Sequence, residues 1–151
     1  MNLLDKLKEY QLVLPSVSNP GGNYVSVNVR GTIAYVAIQF PINNDEYFYQ
    51  GELGAAISTE DGFKAMELSA LNVIAQIHAK IGFDTIVGLN HFDMYYQSAN
   101  NWDDAPIVAN GASNLFVNIL GDKGTHTRAI FGVSDLPRNF CVGITASFTL
   151  K

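Results

Sequence analysis

The chain has 151 residues, 48% of them hydrophobic and 15% charged, and a net charge of −5. That size suits one domain, taken as residues 1–151 with 1–14 as an N-terminal helical extension, and the composition excludes a disordered chain. The basic residues form no run that would displace counterions from phosphates, which argues against a nucleic-acid partner, and a single cysteine, Cys141, excludes an intrachain disulfide and a thiolate metal site.

The opening stretch, MNLLDKLKEYQLVLP, places Leu3, Leu4 and Leu7 on one helical face, so residues 2–10 read as a short amphipathic helix before Pro15. Asp5 and Glu9 interrupt the apolar pattern, which argues against a secretory signal. No run approaches the roughly 18 apolar residues that span a bilayer, so a soluble, cytoplasmic protein without a membrane partner is expected.

NPGG at 19–22 marks a turn. From Asn23, NYVSVNVR alternates Val25, Val27 and Val29 with Tyr24, Ser26 and Asn28, the period of a strand. Arg30-Gly31-Thr32 then turns into IAYVAIQF, a strand apolar on both faces that needs cover on both. PINNDEYFYQGELG reads as a loop with a short strand around Tyr47–Tyr49.

Ser58 or Thr59 caps a long helix with acids in its first turn, and Phe63, Met66, Ala70, Ile74, Ile77 and Ile81 form its apolar stripe up to Gly82. A strand follows at about 84–97. Asp103 and Asp104 before Pro106 open a second helix, with Ile107, Leu115, Ile119 and Leu120 on its apolar side and Gly121 at its end. Two strands close the chain at about 126–133 and 140–150. This order describes an α+β fold: a mixed sheet with two helices packed on one face. The other face would be left open, so further subunits are expected to cover it.

Arg128, in THTRAIFGVSDLP, is one of three arginines in the chain and stands in an apolar, strand-like run. Three roles are open to it: a solvated edge residue, half of an ion pair, or an anchor for an anion, since a guanidinium grips a carboxylate through a planar fork of donors. His126 shares its sheet face by the period of two, and reads either as a cleft residue or as a surface histidine at a strand end. His78 falls off the stripe of its helix and is expected in solvent. His91-Phe92-Asp93 is too short for a metal site, Asp103-Asp104 is explained by a helix start and Asp135 by a turn. Cys141 reads as packed, and Tyr47–Tyr49 as packing or interface.

GNYVSVNVRG, QGELGAAISTEDGFKAMELSALNVI and VANGASNLFVNILGDKGTHTRAIFGVSDLP resemble the RidA/YjgF family, also labelled endoribonuclease L-PSP-like, in its longer branch. The resemblance runs from about Leu14 to Leu150. It implies a chorismate-mutase-like fold assembled as a homotrimer with sheets facing inward and a ligand cleft at each subunit interface. It further implies hydrolysis of reactive enamines and imines to 2-oxo acids and ammonia without a metal or organic cofactor.

Carried over residue by residue, the resemblance makes Arg128 the anchor of the ligand carboxylate. Tyr24 becomes a cleft tyrosine, the alternative being a packed strand aromatic. Asn110 becomes the helix asparagine of the cleft, with one extra residue between it and Arg128, the alternative being a surface or capping amide. The family's Ser-Gly-Gln is Ala37-Ile38-Gln39 here, and its frequent cysteine is Ile130. Where the deaminating branch has two glutamates on the last strand, this chain has Gly143 and Thr145. A threonine hydroxyl can hold water but cannot act as a base near neutral pH.

Three functions follow. The first is hydrolysis of a small imino acid, with Arg128 as anchor and Thr145 beside the water. The second is non-catalytic binding of a small carboxylate in the same clefts. The third is the ribonuclease of the family label, which the acidic charge and the want of a histidine pair support least.

Overall fold

A computed structural model of the protein describes residues 2–151. Met1, included in the expected domain and extension, lies outside the described residues. The elements are α1 (Leu3–Glu9), β1 (Val27–Arg30), β2 (Ile33–Gln39), β3 (Ile42–Asn43), β4 (Glu46–Tyr47), α2 (Thr59–Lys80), β5 (Ile86–Tyr96), α3 (Ala105–Leu120), β6 (Thr127–Gly132) and β7 (Val142–Leu150). Five strands form one sheet in the order β1-β2-β7-β5-β6, antiparallel throughout except for the parallel pair β5–β6. The α3 helix makes the crossover that a parallel pair requires. The fold is a mixed α+β sheet with α2 and α3 packed on one face and α1 resting against α3.

Local chemistry accounts for the element ends. Ser58 caps α2 by accepting the Asp61 N–H at 3.1 Å, and Asn2 caps α1 by accepting the Asp5 N–H at 2.9 Å. Gly31, at φ 60°, sits in the tight turn from β1 to β2. The core combines Met66, Ala70, Ile74 and Ile77 of α2 with Val108, Ala109, Ala112, Leu115 and Phe116 of α3 and with Phe92, Met94, Ile144 and Phe148 of the sheet.

Three expectations are corrected. The first strand begins at Val27, not Asn23, because the Tyr24 hydroxyl turns back to accept the Gly21 N–H at 3.1 Å and the chain bends there. The short strand near Tyr47–Tyr49 is Glu46–Tyr47, and it pairs only with β3 across Asn44 and Asp45, both in the left-handed region that a tight hairpin demands. Ile107 faces outward at 52% exposure, and Val108 takes its place in the core.

The sheet's second face is mixed rather than wholly apolar. Tyr35 and Phe131 stand exposed on it at 53% and 46%, and the Phe131 ring stacks on Tyr95 at 5.5 Å. Between them β5 and β7 present His91, Asp93, Thr145 and Ser147.

Candidate functional site

Arg128 stands opposite Phe92 on the edge strand β6, and its half-buried side chain turns to the helix side. Its Nη1 donates to Asn110 Oδ1 at 2.7 Å and to Ser113 Oγ at 3.1 Å, and its Nη2 to the Pro106 carbonyl at 3.4 Å. These bonds occupy three of the five donor hydrogens of a guanidinium. The two left are one on Nε and one on Nη2, and neither has a partner among the described residues. Among the described residues no Asp or Glu of the same chain pairs with Arg128. The extra residue between Asn110 and Arg128 does not part them, and Asn110 serves the arginine rather than a helix cap.

His126 is not a surface histidine. Its Nδ1 lies 2.6 Å from the Gly124 carbonyl, which can only accept, so Nδ1 bears a proton there, and Nε2 lies 2.9 Å from Ser113 Oγ. The ring packs against Phe92 at 5.2 Å and Phe116 at 6.2 Å. A relay therefore runs from Arg128 through Ser113 to His126 and holds the guanidinium in place. Ser113 was missed by sequence reasoning, although it lies three residues after Asn110 and so on the same helical face.

The other predicted binding residues gather at the opposite side of the sheet. Tyr24, Ile38 and Gln39 line a cleft of about 500 Å³ with Gln76, Arg138 and Phe140. Tyr24 is 51% exposed at its rim, in a loop and not in a strand. Gln39 is buried, and its Nε2 donates to the Ala37 and Ile38 carbonyls at 3.0 and 3.2 Å. Ala37 lies in the bulge where β2 slips register against β7. Arg138 holds a left-handed backbone, φ 58°, secured by Gln50 Nε2 donating to its carbonyl at 2.7 Å. β2 and β6 are three strand spacings apart, about 14 Å, so Arg128 and the Tyr24–Gln39 cleft do not meet within one chain.

Thr145 lies on the outer face, and an acid stands beside it after all. Its Oγ1 donates to Asp93 Oδ2 at 3.1 Å across the β5–β7 ladder. Asp93 Oδ1 lies 2.9 Å from His91 Nε2, and His91 Nδ1 lies 2.7 Å from Thr127 Oγ1. The missing glutamate is thus answered by a carboxylate from the next strand, which the alternation of Phe92 and Met94 (inward) with His91 and Asp93 (outward) could have indicated.

Two of the other departures, Gly143 and Ile38, share one space. A Cβ placed on Gly143 would come within 2.9 Å of both Ile38 Cδ1 and Phe40 Cε1. Glycine at 143 makes room for the isoleucine that fills the position of the family's glycine.

The remaining candidates are structural. Asp104 accepts from Thr59 Oγ1 at 2.9 Å, which in turn accepts from Trp102 Nε1 at 2.9 Å, tying the starts of α2 and α3 together. Burial pushes the Cys141 thiol up to about 12, leaving no thiolate near neutral pH. His78 is exposed, and no group of three His, Cys, Asp or Glu that could hold a metal occurs among the described residues. No helix among them is long and apolar enough to cross a membrane.

With this geometry in view, likeness to known proteins becomes informative. Residues 5–147 match the family described as "YjgF/chorismate mutase-like, putative endoribonuclease". Protein TCP17 of Trypanosoma cruzi is 31% identical over 147 residues, which cover 96% of this chain and 92% of that protein. A Shewanella oneidensis MR-1 crystal structure, named for the same endoribonuclease label, superposes with a TM-score of 0.95 at 28% identity, covering 99% of this chain and 100% of the other. Escherichia coli TdcF, solved with bound serine, shares the fold at a TM-score of 0.64 and 17% identity, over 89% of this chain and 94% of its own. A family match over nearly the whole chain, on the same sheet and helices, leaves one conclusion: the chain belongs to the YjgF/RidA family.

Proposed function

We propose that this protein binds small 2-imino and 2-oxo acids by their carboxylate and hydrolyses the imines, in clefts that two copies of the chain build together as part of a homotrimer. The observation that carries the reading is the guanidinium of Arg128, fixed by Asn110 and Ser113 with two donors to spare and no acid paired with it among the described residues. Arg128 and the Tyr24–Ile38–Gln39 cleft lie toward opposite edges of one sheet, so a seam between neighbours unites them where a single chain cannot. The exposed Tyr35 and Phe131 give that seam apolar area to bury. Serine in the TdcF structure is a ligand of the expected size with a carboxylate to hold.

In this reading Arg128 holds the carboxylate and draws electron density from the adjacent carbon. Water held by Thr145 and Asp93 adds to the imine carbon and passes a proton to Asp93. Asp93 returns that proton to the imine nitrogen, which gives the carbinolamine, and then carries the carbinolamine hydroxyl proton to the same nitrogen, so that the C–N bond breaks, ammonia leaves and the carbonyl of the 2-oxo acid forms. An imine is already electrophilic, so a carboxylate suffices as the proton acceptor.

One observation favours binding without turnover: both oxygens of Asp93 already have partners, Thr145 and His91. Release of 2-oxo acid from freshly generated 2-iminopropanoate separates the two readings. Hydrolysis predicts acceleration by the parent that is lost in both Arg128→Ala and Asp93→Asn. A parent that binds 2-oxobutanoate yet leaves the imine to decay at its own rate is a binder only. Ribonuclease activity has no support in the geometry, because His91 and His126 lie on opposite sheet faces and His78 on an exposed helix surface.

A further inference from the structure

Gln76 is a polar residue buried in the middle of α2, at 1% exposure, where it forms part of the wall of the Tyr24–Gln39 cleft. Its Nε2 donates to the Ser18 carbonyl at 3.2 Å and to Gln39 Oε1 at 3.3 Å. Both partners accept only, because Gln39 is itself oriented by two donations to backbone carbonyls. A half-turn of the Gln76 amide would set oxygen against oxygen, so its orientation is determined. The consequence is that Gln76 Oε1 is buried and has no hydrogen-bond partner.

A buried carbonyl without a partner costs about 1–3 kcal/mol, so native structures seldom retain one without a use. The cleft beside it has aromatic walls, Tyr24, Phe40 and Phe140, and no acidic residue lines it. An ammonium buried there would have no counter-charge and would be costly. A neutral N–H or O–H carries no such cost.

We infer that the cleft selects carboxylate ligands that also carry a neutral N–H or O–H donor, and that Gln76 Oε1 is the acceptor that sets the preference. This rests on the reading of the cleft as the carboxylate site completed by Arg128 of a neighbour. A ligand that only accepts at that end, such as a ketone, leaves the oxygen unsatisfied. A donor satisfies it, displacing the loop at Ser18–Gly21 only as far as needed to reach the amide.

Oxamate and pyruvate test this, because they match in shape and carboxylate and differ in an NH2 that donates where a methyl cannot. Both are titrated into the full-length ¹⁵N-labelled protein, with affinity read from backbone shifts and the site read from the Gln76 side-chain amide signals. Oxamate is expected to bind about fivefold tighter or more, the worth of one net hydrogen bond, and to move the Gln76 signals. Lactate, an O–H donor, should share the advantage. Gln76→Met should abolish the preference, bringing oxamate and lactate to the affinity that the variant has for pyruvate. The comparison of ligands on the parent protein needs no variant, so a variant that failed to fold would not protect the idea. Equal affinities for the three acids in the parent, or a preference that survives in Gln76→Met, overturn it. If that equal binding still requires Arg128, the carboxylate reading stands and only the role of Gln76 falls. Absence of binding by all three acids removes both.

Discussion

Arg128→Ala is expected to weaken binding of 2-oxobutanoate by about tenfold to a hundredfold or more, the worth of one or two hydrogen bonds to a charged group at about 1.5–3 kcal/mol each. Calorimetric titration measures it. Stability should barely change, because Arg128 is only half buried and Asn110, its nearest partner, is exposed and regains water when the guanidinium is gone. Arg128→Lys should fall between, since an ammonium keeps the charge but cannot present two parallel donors. An alanine variant that binds like the parent would show that the anchor lies elsewhere.

Gly143→Ala is expected to destabilise the fold by about 1–3 kcal/mol, the usual cost of forcing a methyl into a filled space. The methyl would meet Ile38 and Phe40, so shortening the first should return much of the loss. Denaturant unfolding of Gly143→Ala, Ile38→Ala and the double variant should therefore show a coupling well above about 0.5 kcal/mol, the ceiling for independent sites. Additive losses would mean that Gly143 and Ile38 do not share their space. The coupling also has a functional corollary. An acid cannot be restored at 143 while Ile38 remains, which makes Asp93 the carboxylate this chain can offer beside Thr145.

Much of the scaffold was legible because it rests on local rules. Ser58 reads as a cap from its side chain and the acids after it, Gly82 as a stop, and the period of Met66, Ala70, Ile74 and Ile77 as a helix facing a core. The Arg128–Asn110 pair was reachable through resemblance alone, since residues eighteen apart on a helix and a strand carry no local mark of contact. Asp93 and Thr145, fifty-two residues apart, meet through the β5–β7 register, which only the assembled sheet decides. Gln76 was invisible for another reason. It falls outside the apolar stripe, where a glutamine reads as solvated, but α2 is buried nearly all round under the loop at Ser18. Ile107 erred in the opposite sense: an apolar residue near the start of α3 looks like core and is surface.

The central claim, a site shared between copies, is tested most directly by mixing two defective chains. Arg128→Ala lacks the anchor but keeps the Tyr24–Gln39 cleft, while Ile38→Trp blocks the cleft but keeps the anchor. Each variant alone should bind 2-oxobutanoate far more weakly than the parent. Unfolded together and refolded as mixed assemblies, they should regain binding, because some seams then join an intact Arg128 to an intact cleft. Mixed assemblies that stay inactive, although light scattering shows both chains incorporated, would contradict a site built across the seam.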